Sequence, residues 1–338
     1  MRVAVYAIAK NEAKHVDRWW DSMSEADGVF VLDTGSTDGT PELLRSKGAH
    51  VAVFVNEPFR FDVSRNASMA LVPPTYDWLV CTDLDEVFTK GWRAALEKAV
   101  AEAESRGEKP NGAVCDFVIS FSKDGRPLSQ MDYWKAHKRG CVRWVSPIHE
   151  YLEWIGERRY VKMDCRLEHH PDDGKSRAQY LPMLEAAVLE DPNPRNLFYL
   201  GRELLFNGRP AGAVAALAQY LMHPQSTFKK ERAWAYRYVA RVLRESGEYA
   251  AAVRWYVAAA GEDGEQRESL VEYAKMCWEI GQRDEAIRAM QCAVSRKVRP
   301  KVFFTEDDCW DGTPEWLLEE WKRIQENGDE LAKPDKLD

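Results

Sequence analysis

No window of the sequence approaches the ~18 uninterrupted apolar residues of a membrane-crossing helix, so no span is expected. Paired cysteines are also missing. Cys81, Cys115, Cys141, Cys165, Cys277, Cys292 and Cys309 are odd in number, scattered, and never spaced as Cys-x-x-Cys. That pattern argues against a disulfide framework or a zinc finger and for a reducing compartment. Positive charge is in short supply. Lys and Arg number 47 against 55 Asp and Glu, a net charge of −8. Nucleic acid is therefore not indicated as a partner, although a local basic patch stays open. The apolar start Met1 to Ile8 is too short for a signal peptide and runs at once into Lys10-Asn11-Glu12, so a cytoplasmic protein is expected. Ala7 to Ala13 contains no Gly, which speaks against the Gly-rich phosphate loop of a nucleotidyltransferase.

What is present is ordinary globular composition, 45% hydrophobic and 30% charged, over 338 residues. That length suits about two domains at ~150 residues each. The first third alternates strand and helix. Val3 to Ala9 is a continuous apolar run, and Ala13 to Met23 reads as a helix. Val29 to Leu32, Val51 to Val55 and Trp78 to Cys81 read as further strands. Thr40 and Pro41 open a helix as N-cap and first helical residue. Asp62 to Leu71, with Asp62 as cap, and Gly91 to Glu104 read as helices. Such alternation predicts a mostly parallel sheet flanked by helices, with ligands beyond the carboxyl ends of the strands. Ala113 to Phe121 and the alternating Ile148 to Trp154 read as strands that complete this domain. Between them, Trp134 and Trp144 are core residues or stacking platforms.

From Ser176 to about Val294 the pattern is helical and repeats itself. Gly208, Gly247 and Gly281 align three segments. Ala213, Ala252 and Ala286 lie five residues on, and Gly201, Ala240 and Ala274 seven before. Spacings of 39 and 34 residues fit tetratricopeptide-like helix pairs, the longer one read as a longer connection around Pro224 to Lys230. The domains expected are 1–172, catalytic; 173–326, helical repeat; and 327–338, a disordered tail.

Three polar motifs fall at strand ends. Asp33-Thr34-Gly35-Ser36-Thr37-Asp38-Gly39-Thr40 is composed almost wholly of turn formers, and Gly35 and Gly39 permit close backbone approach to a ligand. Asp83-Leu84-Asp85 follows Trp78 to Cys81. Read as the end of that strand, its two carboxylates point the same way and repel unless a hard cation lies between them. Mg²⁺ or Mn²⁺ carrying a diphosphate suits such a pair, while a solvated acidic turn is the alternative. Lys10-Asn11-Glu12 is the third motif.

Asp33 to Thr40, Arg65-Asn66, Asp83-Leu84-Asp85 and Ile8 to Glu12, in this order, resemble family 2 glycosyltransferases of the GT-A fold. The resemblance is strong over residues 1–100 and looser over 140–170. It implies a UDP-sugar donor, Mn²⁺ or Mg²⁺, and transfer with inversion. By that resemblance Ala9, Asn11, Glu12, Asp33 and Gly35 contact the nucleoside. Arg65 faces the nucleotide, Asp83 and Leu84 the ribose or donor sugar, and Asp85 the metal, joined by His169 (or His170). Glu150, beside His149, is the candidate base on the acceptor side, so Glu150 and Asp83 are the catalytic candidates. The acceptor expected is a protein or peptide side chain recognised by the repeats. A glycan, a modified DNA base, a non-catalytic nucleotide-binding scaffold, and a homodimer through the repeats stay open.

Overall fold

The computed structural model describes residues 1–121, 125–171, 178–302 and 305–331. It contains two compact units, Met1–Ala187 and Val188–Asp338. The sequence-based boundary at 172/173 lies outside the described residues.

The first unit is built on an eight-stranded sheet. Its first part is β1 (Val3–Ala9), β2 (Gly28–Asp33), β3 (His50–Val53) and β4 (Trp78–Cys81), interleaved with α1 (Val16–Met23), α2 (Thr40–Lys47) and α3 (Phe61–Ala70). After β5 (Glu86–Phe88) and α4 (Trp92–Ser105) come β6 (Gly112–Phe121), β7 (Pro127–Lys138) and β10 (Tyr160–His169). A two-stranded ribbon, β8 (Val142–Val145) with β9 (Tyr151–Trp154), precedes β10. The sheet order is β3-β2-β1-β4-β7-β6-β10-β5. The β3-β2-β1-β4 block is parallel, β7 runs against both its neighbours, β10 is parallel to β6, and β5 is antiparallel to β10.

Strand β1 reads as an unbroken apolar run because both its faces are buried. Val3, Val5, Ala7 and Ala9 face one layer with Trp19, Met23, Trp92 and Leu96. Ala4 and Tyr6 face the other, with Phe30, Tyr76, Leu79, Cys81 and Trp144. The period of two is that of a pleated strand. Two of the buried indoles bond their N–H groups: Trp92 Nε1 donates to Ser22 O at 2.8 Å and Trp19 Nε1 to Thr82 Oγ1 at 3.1 Å.

Several local expectations shift. Helix α2 has Gly39, at φ 84°, as its N-cap, and Thr40 is its first residue. The Thr40 hydroxyl ties two loops, donating to Asp38 Oδ1 and accepting from Glu12 N at 2.8 Å. Asp62 lies inside the first turn of α3, where its carboxylate holds the Arg60 guanidinium rather than capping the helix. Only Tyr151–Trp154 of the expected strand from Ile148 is extended. Ser146 and His149 adopt φ values of 82° and 50°, which break the ladder.

The second unit consists of helix pairs: α6 (Pro194–Phe206) with α7 (Pro210–Met222), α8 (Lys229–Glu245) with α9 (Tyr249–Glu262), and α10 (Glu268–Glu279) with α11 (Arg283–Ser295). Helix α5 (Tyr180–Glu190) runs across the division between the units, and α12 (Thr313–Leu331) ends the described chain. Part of the stretch assigned to a disordered tail is therefore helical, and residues 332–338 lie outside the described residues. Gly208, Gly247 and Gly281 turn each pair at φ values of 65°, 78° and 78°. Ala213, Ala252, Ala286, Ala240 and Ala274 are fully buried, as small residues at helix crossings must be. The longer repeat spacing has a different cause from the one expected. Helix α8 has 17 residues where α6 has 13 and α10 has 12.

Candidate active site

A cavity of about 780 Å³ opens at the carboxyl ends of β1 and β4. It is lined from β1 and its loop by Ala9, Asn11 and Glu12, from α3 by Arg65, and from the turn after β4 by Asp83, Leu84 and Asp85. His169 at the end of β10 completes this polar side. Phe59, Phe61 and Tyr180 add aromatic walls. Eight of the site residues expected from the sequence thus meet in one cavity. Asp33, Gly35 and Glu150 are not among its lining residues.

The two N-terminal loops are knitted together. Asn11, at φ 57°, accepts the Thr37 amide on Oδ1 at 2.7 Å, and its own amide bonds Ser36 Oγ at 2.8 Å. Asp33 is 1% exposed. Its Oδ1 accepts the Gly35 and Ser36 amides at 3.0 and 2.9 Å, and its Oδ2 accepts the Ser36 hydroxyl. Asp33 therefore shapes the loop from within. Gly35 is needed there for its φ of 101°, a left-handed conformation that side chains other than glycine strain to adopt.

Arg65 is the junction of the site. It is buried, with Nη2 2.6 Å from Asp83 Oδ1 and Nε 3.0 Å from Glu150 Oε1. Its guanidinium also lies 5.4 Å from the centre of the Trp144 ring. Burial opposes the Asp83 charge, but Arg65 and then Lys135 outweigh it and hold that carboxyl below its ordinary range. Glu150 reaches Arg65 from the turn between β8 and β9, which is anchored by Phe61 N donating to Pro147 O at 2.9 Å. Candidate base and candidate donor carboxylate thus share one cation.

The acidic pair departs from its sequence reading. Strand β4 ends at Cys81, so Asp83 and Asp85 lie on a turn, closed by Glu86 N donating to Asp83 O at 3.1 Å. Their carboxylates go to different partners: Asp83 to Arg65, Asp85 to His169. The distance from Asp85 Oδ2 to His169 Nε2 is 3.5 Å, and the His170 amide bonds Asp85 O at 2.8 Å. Burial lowers the His169 pKa, but Asp85 and then the Glu86 and Asp83 carboxylates outweigh it, and the net shift is upward. His170 turns elsewhere, 3.6 Å from Glu168 Oε2.

Trp144 is buried, and Trp134 is half-buried against aromatic neighbours. Trp134 meets Trp154 and Tyr160 edge-on at 5.1 and 4.8 Å, and Trp144 is 8% exposed. Sequence reasoning passed over the groups behind the turn. Glu86 follows the acidic pair directly, yet had no role. Lys135 lies in a stretch of alternating aromatic and basic residues. Its burial on β7 is legible only once β7 is placed between β4 and β6. Phe59, Phe61 and Tyr180 carried no motif at all.

Residues 5–160 match the model for "Glycosyl transferase family 2". An uncharacterized glycosyltransferase of Rickettsia bellii is 33% identical over 97 residues, 28% of this chain and 32% of that protein. A TPR repeat-containing protein of Synechococcus elongatus is 25% identical over 154 residues, 45% of this chain and 36% of that protein. The chain thus spans about a third of the length of these curated relatives. The crystal structure of S. aureus TarS aligns with 14% identity and a TM-score of 0.43, over 76% of this chain and 55% of that one.

Proposed function

We propose that this chain, a family 2 glycosyltransferase domain followed by tetratricopeptide-like helix pairs, transfers a sugar from a UDP-sugar to a protein or peptide side chain, with inversion and with help from a divalent metal. The observation that carries the reading is the meeting of Asn11, Glu12, Arg65, Asp83, Asp85 and His169 in one cavity at the carboxyl edge of the sheet. That edge is where open α/β sheets bind ligands.

The residues fit a metal. Asp85 and His169 converge with an oxygen and a nitrogen 3.5 Å apart, a mixed donor set that a transition ion such as Mn²⁺ accepts more readily than the oxygen-preferring Mg²⁺. Among the described residues no group of three or more such side chains forms, so diphosphate oxygens and water would complete the shell. When bound, the ion offsets charge on the departing diphosphate.

The chain's own residues do the rest. Asn11 and Glu12 border the nucleoside end. Arg65 offers the diphosphate a fixed, buried guanidinium, for which Asp83 competes until the donor arrives. Asp83 and Leu84 orient the ribose or the sugar. Glu150 takes the acceptor proton as the acceptor atom attacks the anomeric carbon and UDP leaves with the bonding electrons. The helix pairs recognise the acceptor, since stacked repeats expose an extended surface for binding. The odd number and scattered spacing of the seven cysteines fit a reducing compartment such as the cytoplasm.

The test is thermal unfolding with a panel of nucleotide sugars, with and without Mn²⁺. A UDP-sugar is expected to raise the melting temperature only when Mn²⁺ is present. Asp85→Ala is expected to lose that rise. Glu150→Gln is expected to keep it and to slow transfer by a factor of about 10² or more, the usual loss when a general base is removed. If no nucleotide sugar binds with Mn²⁺ present, the proposal is wrong.

A further inference from the structure

We propose that the buried Lys135–Glu86 ion pair is the positioning device that sets the acidic turn for donor binding. The inference rests on the donor-site reading above and assigns a part to two residues that the reading leaves unused. Lys135 Nζ lies 2.8 and 2.6 Å from the two carboxylate oxygens of Glu86. The residues are 7% and 4% exposed. Oxygen Oε2 of Glu86 also accepts the backbone amide of Asp83 at 3.0 Å. The carboxylate thereby reaches back over three residues and fixes the turn that carries Asp83 and Asp85.

The backbone of Glu86 fixes the other half of the site. In the antiparallel ladder between β5 and β10, Glu86 is the partner of His169. One residue therefore holds Asp83 through its side chain, follows Asp85 in the chain, and pairs with His169 through its main chain. Lys135, from the middle of the sheet, determines where the Glu86 carboxylate can lie. The rings of Phe117 and Tyr133, 5.4 and 5.0 Å from Nζ, hold the ammonium in place.

Stability alone is a poor reason for this arrangement. A buried ion pair loses about as much in desolvation as it gains, and well-packed apolar residues often do as well. What the pair supplies here is geometry. A carboxylate with both oxygens clamped has one orientation, so the Asp83 amide has one acceptor position.

The experiment uses the full chain and the double variant Glu86→Gln with Lys135→Met, which leaves no unpaired buried charge. The glutamine side chain would still offer a carbonyl oxygen to Asp83 N, but nothing would clamp it. One readout is amide hydrogen exchange without ligand. Exchange at residues 83–86 is expected to quicken at least tenfold while Val3–Ala9 stays protected. The other is calorimetric affinity for UDP with Mn²⁺, expected to fall at least tenfold in the double variant and to stay within threefold of wild type in Lys135→Arg. Unchanged exchange at 83–86 would overturn the proposal, as would faster exchange with wild-type affinity. A wild-type chain that binds no UDP with Mn²⁺ removes the donor-site reading instead, and the exchange result then decides whether the pair orders the turn.

Discussion

His137 shows how a single buried side chain is oriented by its neighbours. Its Nδ1 lies 3.1 Å from Lys138 O and its Nε2 lies 2.9 Å from Tyr6 OH, which in turn accepts Trp144 Nε1–H at 2.9 Å. A carbonyl can only accept, so Nδ1 carries the proton; burial keeps the ring neutral at pH 7, which leaves Nε2 to accept from the phenol. Burial depresses the His137 pKa to about 4, with Arg139 adding to the effect and the Lys138 carbonyl opposing it. An unfolded histidine titrates near ~6.5. Between those values the unfolded chain binds a proton that the native state does not, so stability falls as pH falls. The loss approaches about 3 kcal/mol by pH 4. In urea titrations between pH 7.5 and 5, His137→Gln is expected to remove about 1 kcal/mol per pH unit from the acid slope below pH 6.5. An identical slope in the variant would mean that His137 takes up its proton as readily in the native state as in the unfolded chain. Trp144 ends this chain and lies against Arg65, so the relay also braces the junction of the site.

Among elements, glycine separates what periodicity can and cannot reveal. The helix pairs were legible because Gly208, Gly247 and Gly281 recur with alanines at fixed offsets, and the turns do require positive φ there. The turn after β4 was not. Asp-x-Asp looks the same on a strand as on a turn, and only the Asp83–Glu86 bonds distinguish them. Glycines inside helices make the energetic side testable. A Cβ on Gly201 would come within 2.6 Å of Leu217 Cγ. Gly201→Ala is expected to cost about 1–3 kcal/mol through overpacking between α6 and α7. Gly261, in α9, has open space around its would-be Cβ. Gly261→Ala is expected to stabilise by about 0.5–1 kcal/mol through helix propensity. Denaturant midpoints of the two variants should move in opposite directions. A common direction would remove the close helix crossing as the reason for a small residue at 201.

At the scale of the whole molecule, the order of motifs carried more than any one of them. Three polar strand ends in sequence predicted a carboxyl-edge site, and the sheet order places β1 and β4 side by side to form it. Glu86, Lys135 and the aromatic walls needed the sheet, because pairing across 49 residues leaves no local pattern. The cavity proposed to take the donor is lined wholly from the first unit, whose residues span 1–187. Mass action then gives a prediction for the full chain. UDP with Mn²⁺ at ~100 times its Kd stabilises the state that binds it by about 2.7 kcal/mol. For a unit of this size that is a rise of roughly 5–10 °C in its melting temperature. Hydrogen exchange should slow at residues 8–12, 59–65 and 83–85, and stay unchanged in α8–α11. Protein or peptide acceptors should slow exchange in the helix pairs. If UDP instead protects α8–α11 and leaves 83–85 untouched, the nucleotide binds the repeats, and the carboxyl edge of the sheet is not the donor site.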